Sequence, residues 1–372
     1  MALSNQIDTE KGAIALASYL SQHHPAAEWL KVIDLLVPTA NGLSNETILF
    51  TMVKAVDGQE TAERLVARVQ PSGPAVHPSY DMEREFRLLK IIGERTSVPV
   101  PSVVSFEPGK TVLGAPFLLL KFVAGKVPGD DPLYTTTGWV LELTDSQRSA
   151  MSFNALEALA KIHAVDWLGL GLDFLDKPEF GPKGLAQELN YIRAAYEWGR
   201  AGFRHPVIEA AFDWIEQNIP TGEEPLALTW GDARIGNMIF AEDQSVAAVL
   251  DWELAAIASP EMDLGWWLFL QRAYTDAIDV PLPGGLFDRE KLVAEYERMT
   301  GHIVRNLDFY EIFAVLRGSI QMLRVGTLLI EAGLLASDSP IRAVNPTVNL
   351  LADLIGVPRL DGQAESWVGN RT

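Results

Sequence analysis

The spacing of apolar and polar positions changes character twice along this chain. A mixed stretch over residues 10–20 predicts a helix. Trp29–Val37 and Thr47–Val56 then read as two β-rich segments around the turn-prone run Pro38-Thr39-Ala40-Asn41-Gly42-Leu43-Ser44-Asn45, a candidate hairpin with a polar tip. Leu65–Val69 predicts a third, short strand. After the Pro71–Pro78 break, Met82, Phe86, Leu89 and Ile92 keep helical spacing and predict a helix over residues 79–93. Val103–Glu107 and Pro116–Val123 read as two further strands joined by a Pro-Gly turn.

Beyond Gly125 long helical patterns dominate: Ser146–Val165, Gly184–Ala201, Pro206–Ile219, Arg289–Thr300 and Asp308–Gly333. The change divides the chain into an amino-terminal lobe, residues 1–123, and a helical carboxy-terminal lobe, residues 124–372. One β-like island interrupts the second lobe, from Ala227 to Asp251, with a hairpin turn at Ala241-Glu242-Asp243-Gln244.

With 372 residues, 48% of them hydrophobic, burial of a core is not limiting. The chain has no Cys, which excludes disulfides, thiol nucleophiles and Cys-ligated zinc. A formal net charge of −19 repels polyphosphate backbones, so no nucleic-acid partner is expected. The same charge keeps the protein soluble or steers a cationic substrate. Met1–Leu20 lacks the basic-then-apolar order of a signal peptide, and runs such as Phe117–Leu120 and Leu264–Leu270 fall short of a bilayer span. A cytoplasmic protein with no membrane segment is expected, of undetermined oligomeric state.

The β island carries the chemistry. It contains Trp230-Gly231-Asp232-Ala233-Arg234-Ile235-Gly236-Asn237, then Val249-Leu250-Asp251-Trp252-Glu253. An Asp separated from an Asn by four residues is the catalytic-loop spacing of protein kinases, where the Asp takes the acceptor hydroxyl's proton and the Asn holds magnesium. A hairpin of Met238–Phe240 and Val246–Leu250 would return Asp251 beside Asn237, where its carboxylate can share the metal. Phosphoryl transfer passes through a loose transition state, so positioning and charge neutralisation dominate its catalysis. Taken singly, these residues have bland roles: Asp232 closing a turn, Asn237 capping it, Asp251 ending a strand. His163, Trp266 and Trp267 read as packed core or capping residues.

Together with Gly42-Leu43-Ser44-Asn45, Leu65-Val66-Ala67-Arg68, Arg84-Glu85-Phe86-Arg87, Gly114-Ala115-Pro116-Phe117 and His163-Ala164-Val165-Asp166-Trp167, the island resembles the aminoglycoside phosphotransferase family, most of all the branch also found fused to acyl-CoA dehydrogenases. The resemblance runs from about Asn41 to about Leu270, with Trp230 standing where the family has His. It implies an α+β, protein-kinase-like bilobal fold with a small antiparallel-sheet lobe and a larger helical lobe. It also implies ATP and Mg²⁺ as cofactors and a small-molecule hydroxyl as acceptor, with Asp232 as base and Asn237 and Asp251 on the metal. Ser44 and Asn45 would cover the phosphates, Arg68 with Glu85 would stand for the usual Lys and its carboxylate partner, and Val123 would meet adenine. Asp263 would brace the catalytic loop.

Two further classes stay open: a nucleotide-binding module that has lost transfer, for which Trp230 and Arg68 argue, and, ranked below it, a protein kinase. The acceptor is not readable. An acidic or CoA-linked one would need a basic entrance, for which Arg193, Arg200 and Arg204 are the candidates.

Overall fold

The computed structural model describes residues 8–38, 46–73, 75–222 and 225–365. The chain forms two compact units, Met1–Arg95 with Pro101–Val123, and Thr96–Val100 with Ala124–Thr372.

The first unit is built on a five-stranded antiparallel sheet in the order β1-β2-β3-β5-β4, with β1 Trp29–Leu36, β2 Glu46–Val56, β3 Gln59–Val69, β4 Val103–Glu107 and β5 Phe117–Lys121. The third strand is longer than the sequence pattern predicts. Asp57 and Gly58 both take positive φ, 51° and 72°, the geometry of a two-residue hairpin turn, and this pairs β2 with β3 from Val56↔Gln59 to Glu46↔Val69. The polar outer half of β3, Gln59–Arg64, hides this strand from a hydrophobicity reading. Helix α1, Thr9–His23, is capped by Asp8, whose side chain accepts from the N–H groups of Glu10 and Lys11. Its Leu16, Tyr19 and Leu20 pack with Ile48, Phe50 and Phe117 of the sheet. Helix α2, Met82–Arg95, buries Leu88, Leu89 and Ile92, and also Glu85.

The second unit is mostly helical. In chain order come α3 Trp139–Glu142, α4 Asp145–His163, α5 Leu185–Gly199, α6 Pro206–Gln217, β6 Ala227–Thr229, β7 Met238–Phe240, β8 Val246–Val249, β9 Ala256–Ala258, α7 Pro260–Ala273, α8 Arg289–Thr300, α9 Leu307–Glu331 and α10 Pro346–Ile355. A capping box fixes the start of α4, Thr144 and Gln147 each bonding the other's backbone N–H. The core joins α5, α6, α7, α9 and α10 through residues such as Ile192, Phe212, Trp266, Phe313, Leu316 and Leu351.

Strand β9, helix α7 and helix α10 are absent from the sequence reading. The runs Ala255–Ser259 and Leu264–Leu270 are apolar on every side, so they carry no periodicity to assign. Helix α9 is long and apolar enough to cross a membrane by length and composition, but 78% of its most apolar stretch is buried inside the protein. It is a core helix here, carrying Glu311, Arg317 and Arg324.

Candidate functional site

The short sheet β6–β9 and the hairpin β7–β8 frame the loop Trp230–Asn237. The loop leaves β6 through Gly231 at φ +89°, where a Cβ would stand 2.3 Å from the Leu254 carbonyl oxygen, so only glycine fits. It ends in one 3-10 turn, Ile235–Asn237, leading into β7. At the far end of the hairpin the Leu250 N–H donates to the Asn237 carbonyl at 2.8 Å, so Asp251 directly follows a residue tied to Asn237. Asp251 itself takes φ +56°, a left-handed conformation uncommon outside glycine. Trp230 is fully buried, and its indole N–H donates to the carbonyls of Leu250 at 2.7 Å and Asp251 at 3.1 Å. The residue that departs from the family pattern therefore binds the loop to the Asp251 segment.

Asp232 sits inside a set of donors. Its Oδ1 accepts from the Trp266 indole N–H at 2.6 Å and its Oδ2 from the Asn237 amide at 2.7 Å. The Arg234 guanidinium lies 3.3 Å from it and is also ion-paired with Asp130. Arg317, on α9, stacks 3.6 Å over the Trp266 ring and donates to the Gly231 carbonyl. Burial alone would raise the Asp232 pKa, but the Arg234 charge, the Trp266 hydrogen bond, the Arg317 charge and the Asn237 amide outweigh it and hold the carboxyl below its usual range. The group is thus ionised and oriented, with its side chain 22% exposed.

Because the Asn237 amide nitrogen is committed to Asp232, its oxygen is the atom left for a hard cation. Among the described residues no three His, Cys, Asp or Glu side chains gather as a metal cluster. The Asn237 amide oxygen and the Asp251 carboxylate are hard oxygen donors, of the kind a magnesium takes beside phosphate oxygens and water.

Asp263, in the first turn of α7, receives the Trp230 and Gly231 N–H groups at 2.7 and 2.8 Å. The same carboxylate meets His163 Nε2 at 3.0 Å, and the other His163 ring nitrogen lies 2.7 Å from the Tyr296 hydroxyl. Two loop amides are therefore fixed by a buried carboxylate that α4 and α8 hold in turn. Trp266, read from sequence as core, is buried as expected, yet its polar edge reaches Asp232. Asp263 and Trp266 stand three apart on one helix, hence on one face, and that spacing was the available signal. Nothing local marked Arg317.

The first unit holds its own set. Arg68 on β3 and Glu85 on α2 form a buried ion pair at 2.8 Å. Val123 lies two residues past β5 and is half-buried. Ser44 and Asn45 lie outside the described residues. Of the candidates for a basic entrance, Arg193 pairs with Glu216, Arg200 with Glu197 at 2.8 Å, and Arg204 with Glu209 at 2.7 Å.

Residues 36–302 match the model of the phosphotransferase enzyme family, and the chain belongs to that family. Its fold is the kinase-like fold of the aminoglycoside phosphotransferases. It aligns over 94% of its length with a protein of Ralstonia eutropha JMP134 assigned to those enzymes, at 22% identity, covering 99% of that chain with a TM-score of 0.66. It also aligns with a thermostable mutant of aminoglycoside phosphotransferase APH(4)-Ia in ternary complex with AMP-PNP and hygromycin B. There the identity is 15%, the TM-score 0.55, and the alignment covers 92% of this chain and 98% of the other. Among curated proteins it is 26% identical over 296 residues to probable acyl-CoA dehydrogenase IBR3 of Arabidopsis thaliana. That alignment takes in 75% of this chain and 34% of the relative, so the chain spans about a third of the relative's length.

Proposed function

We propose that this protein transfers the γ-phosphoryl group of ATP to a hydroxyl of a small molecule. The acceptor oxygen forms the new P–O bond, the bond from the γ-phosphorus to the β,γ-bridging oxygen breaks, ADP leaves, and the acceptor's proton passes to Asp232. Asn237 and Asp251 would hold the magnesium that neutralises charge on the phosphates. Arg68, kept in place by Glu85, would meet the nucleotide's phosphates, with Ser44 and Asn45 covering them and Val123 against adenine.

One observation carries this reading: the Asn237 amide bonds the Asp232 carboxylate, while the Leu250 N–H and the Trp230 indole tie the Asp251 segment to Asn237 and to the loop, as a single unit. Such a unit supplies the base and the metal ligands at fixed separation, which is what a reaction governed by positioning requires. Trp230, where the family has His, donates its indole N–H to the Leu250 and Asp251 carbonyls, and so supports the reading of Asp251 as a held metal ligand. Structural neighbours in complex with AMP-PNP and hygromycin B, or with GDP and kanamycin, support a nucleotide and a hydroxylated acceptor as the ligand classes. A screen of Mg-ATP consumption against diverse hydroxylated metabolites and aminoglycosides tests the proposal. The expected result is ADP and phosphorylated product in equal amounts with at least one acceptor class; ATP binding with no product from any class would refute transfer.

A further inference from the structure

Asp232 owes its orientation to a residue that no loop motif contains. Its two oxygens are each fixed by a side-chain N–H, one from Asn237 inside the loop and one from Trp266 on α7. The Trp266 ring is itself held from two sides, by Phe269 with ring centroids 5.1 Å apart and by Arg317 stacked over its face. Arg317 has a second bond, to the carbonyl of Gly231, the residue immediately before Asp232. Its Nε is buried and makes no hydrogen bond among the described residues, and no carboxylate pairs with it there, so the stack and the Gly231 carbonyl anchor it. A desolvated guanidinium is costly to keep in such a place unless its contacts matter to the fold or the site.

We propose that Trp266, clamped by Arg317, is the positioning residue of the phosphotransfer site: its indole N–H holds Asp232 Oδ1 and leaves the carboxylate one allowed orientation toward the acceptor hydroxyl. The inference rests on the proposed role of Asp232. Trp266 touches no reacting atom. An indole is suited to this task because it donates one hydrogen bond along a fixed direction and never accepts, while its ring area packs into the core. Without Trp266 the carboxylate would keep the Asn237 amide on one oxygen and only the longer Arg234 contact, 3.3 Å, on the other, and misplacement of a reacting group by about 1 Å costs about 100-fold in rate.

Trp266→Phe keeps an aromatic ring beside Arg317 and Phe269 while deleting the N–H together with part of the indole. Loss of a hydrogen bond to an ionised group predicts a kcat about 10- to 100-fold lower, with KM for ATP and for the acceptor unchanged. In an Asp232→Ala background the same substitution should cause no further loss, because the residue acts only through that carboxylate. Arg317→Met, which keeps the indole N–H, should give a smaller loss that also vanishes in that background, and it serves if Trp266→Phe folds poorly. An unchanged kcat in both variants, or losses that add to that of Asp232→Ala, would overturn the proposal. A reading independent of turnover is the indole ¹⁵N–¹H spectrum of the protein's ten tryptophans. One downfield resonance should shift on Asp232→Ala, and a spectrum insensitive to that change would also overturn the proposal. A protein that phosphorylates no acceptor yet shows the shift would count against the proposed function and leave the hydrogen bond intact.

Discussion

The two units hold their candidate residues by opposite means. In the sheet-bearing unit Arg68 and Glu85 sit on regular elements, β3 and α2, and one buried ion pair joins them. In the helical unit Asp232 and Asn237 sit on an irregular loop, which is held by Trp266 and Asp263 from α7, Arg317 from α9 and His163 from α4. A regular element fixes its side chains through its own backbone ladder, so one contact suffices. A loop has no ladder, and its geometry must be imposed from outside by groups remote in sequence. Loss of Asp232 or Trp266 in the helical unit should accordingly fall on rate, loss of Asn237 or Asp251 on magnesium-dependent nucleotide binding, and losses in the sheet unit on stability and nucleotide binding.

Asp232→Asn should give the greatest effect, about 10²- to 10⁴-fold in kcat with ATP affinity nearly unchanged, since it removes the proton acceptor and no nucleotide ligand. The new amide also sets an NH₂ against one or more of the donors that now meet the carboxylate, so a small drop in melting temperature should accompany the loss. Steady-state kinetics with ATP titrations decide this, and a near-normal kcat would remove Asp232 from the reaction.

Glu85→Ala should instead act on stability. It removes the carboxylate that pairs with the buried Arg68, and breaking such a pair costs about 3–5 kcal/mol. Denaturant unfolding measures it; a change below about 1 kcal/mol would show that the pair behaves as a surface bridge.

A third effect is modest and depends on pH. His205 is fully buried, and burial lowers its pKa from the ordinary value near 6.5, so the unfolded chain takes up the proton more readily than the folded one. Its contribution is complete above about pH 6.5 and is lost as pH falls below that value. The melting temperature should decline between about pH 7 and pH 5.5, and the decline should be shallower in His205→Leu. Equal slopes for the two proteins would dismiss the effect.

How much of this was legible in the sequence follows the same division. The strands of the first unit are short apolar or alternating runs bounded by turn residues, so they could be read, apart from the exposed half of β3, where Asp57-Gly58 was the missed cue. The kinase-like fold and the family were legible because the loop spacing and the hairpin returning to Asp251 lie within 22 consecutive positions, Trp230 to Asp251. Trp266 and Arg317 were not. Trp266 sits in a run that is apolar all round, and Arg317 is 85 positions from Asp232, so their contact with the loop comes from the packing of α7 on α9 and leaves no local pattern. The pairing of Arg193, Arg200 and Arg204 with glutamates was equally hidden for Arg193, whose partner Glu216 is on another helix. For Arg200 the partner Glu197 stands three residues earlier on the same helical face and could have been read.

The central claim is that Asn237 and Asp251 bind nucleotide through magnesium while Asp232 does not. Calorimetric titration of ATP, with and without Mg²⁺, into the wild-type protein and into Asp251→Ala, Asn237→Ala and Asp232→Ala tests it most directly. The account predicts that magnesium tightens ATP binding in the wild type and in Asp232→Ala, that Asp251→Ala abolishes this tightening, and that Asn237→Ala reduces it. Identical magnesium-dependent binding in all four proteins would contradict it.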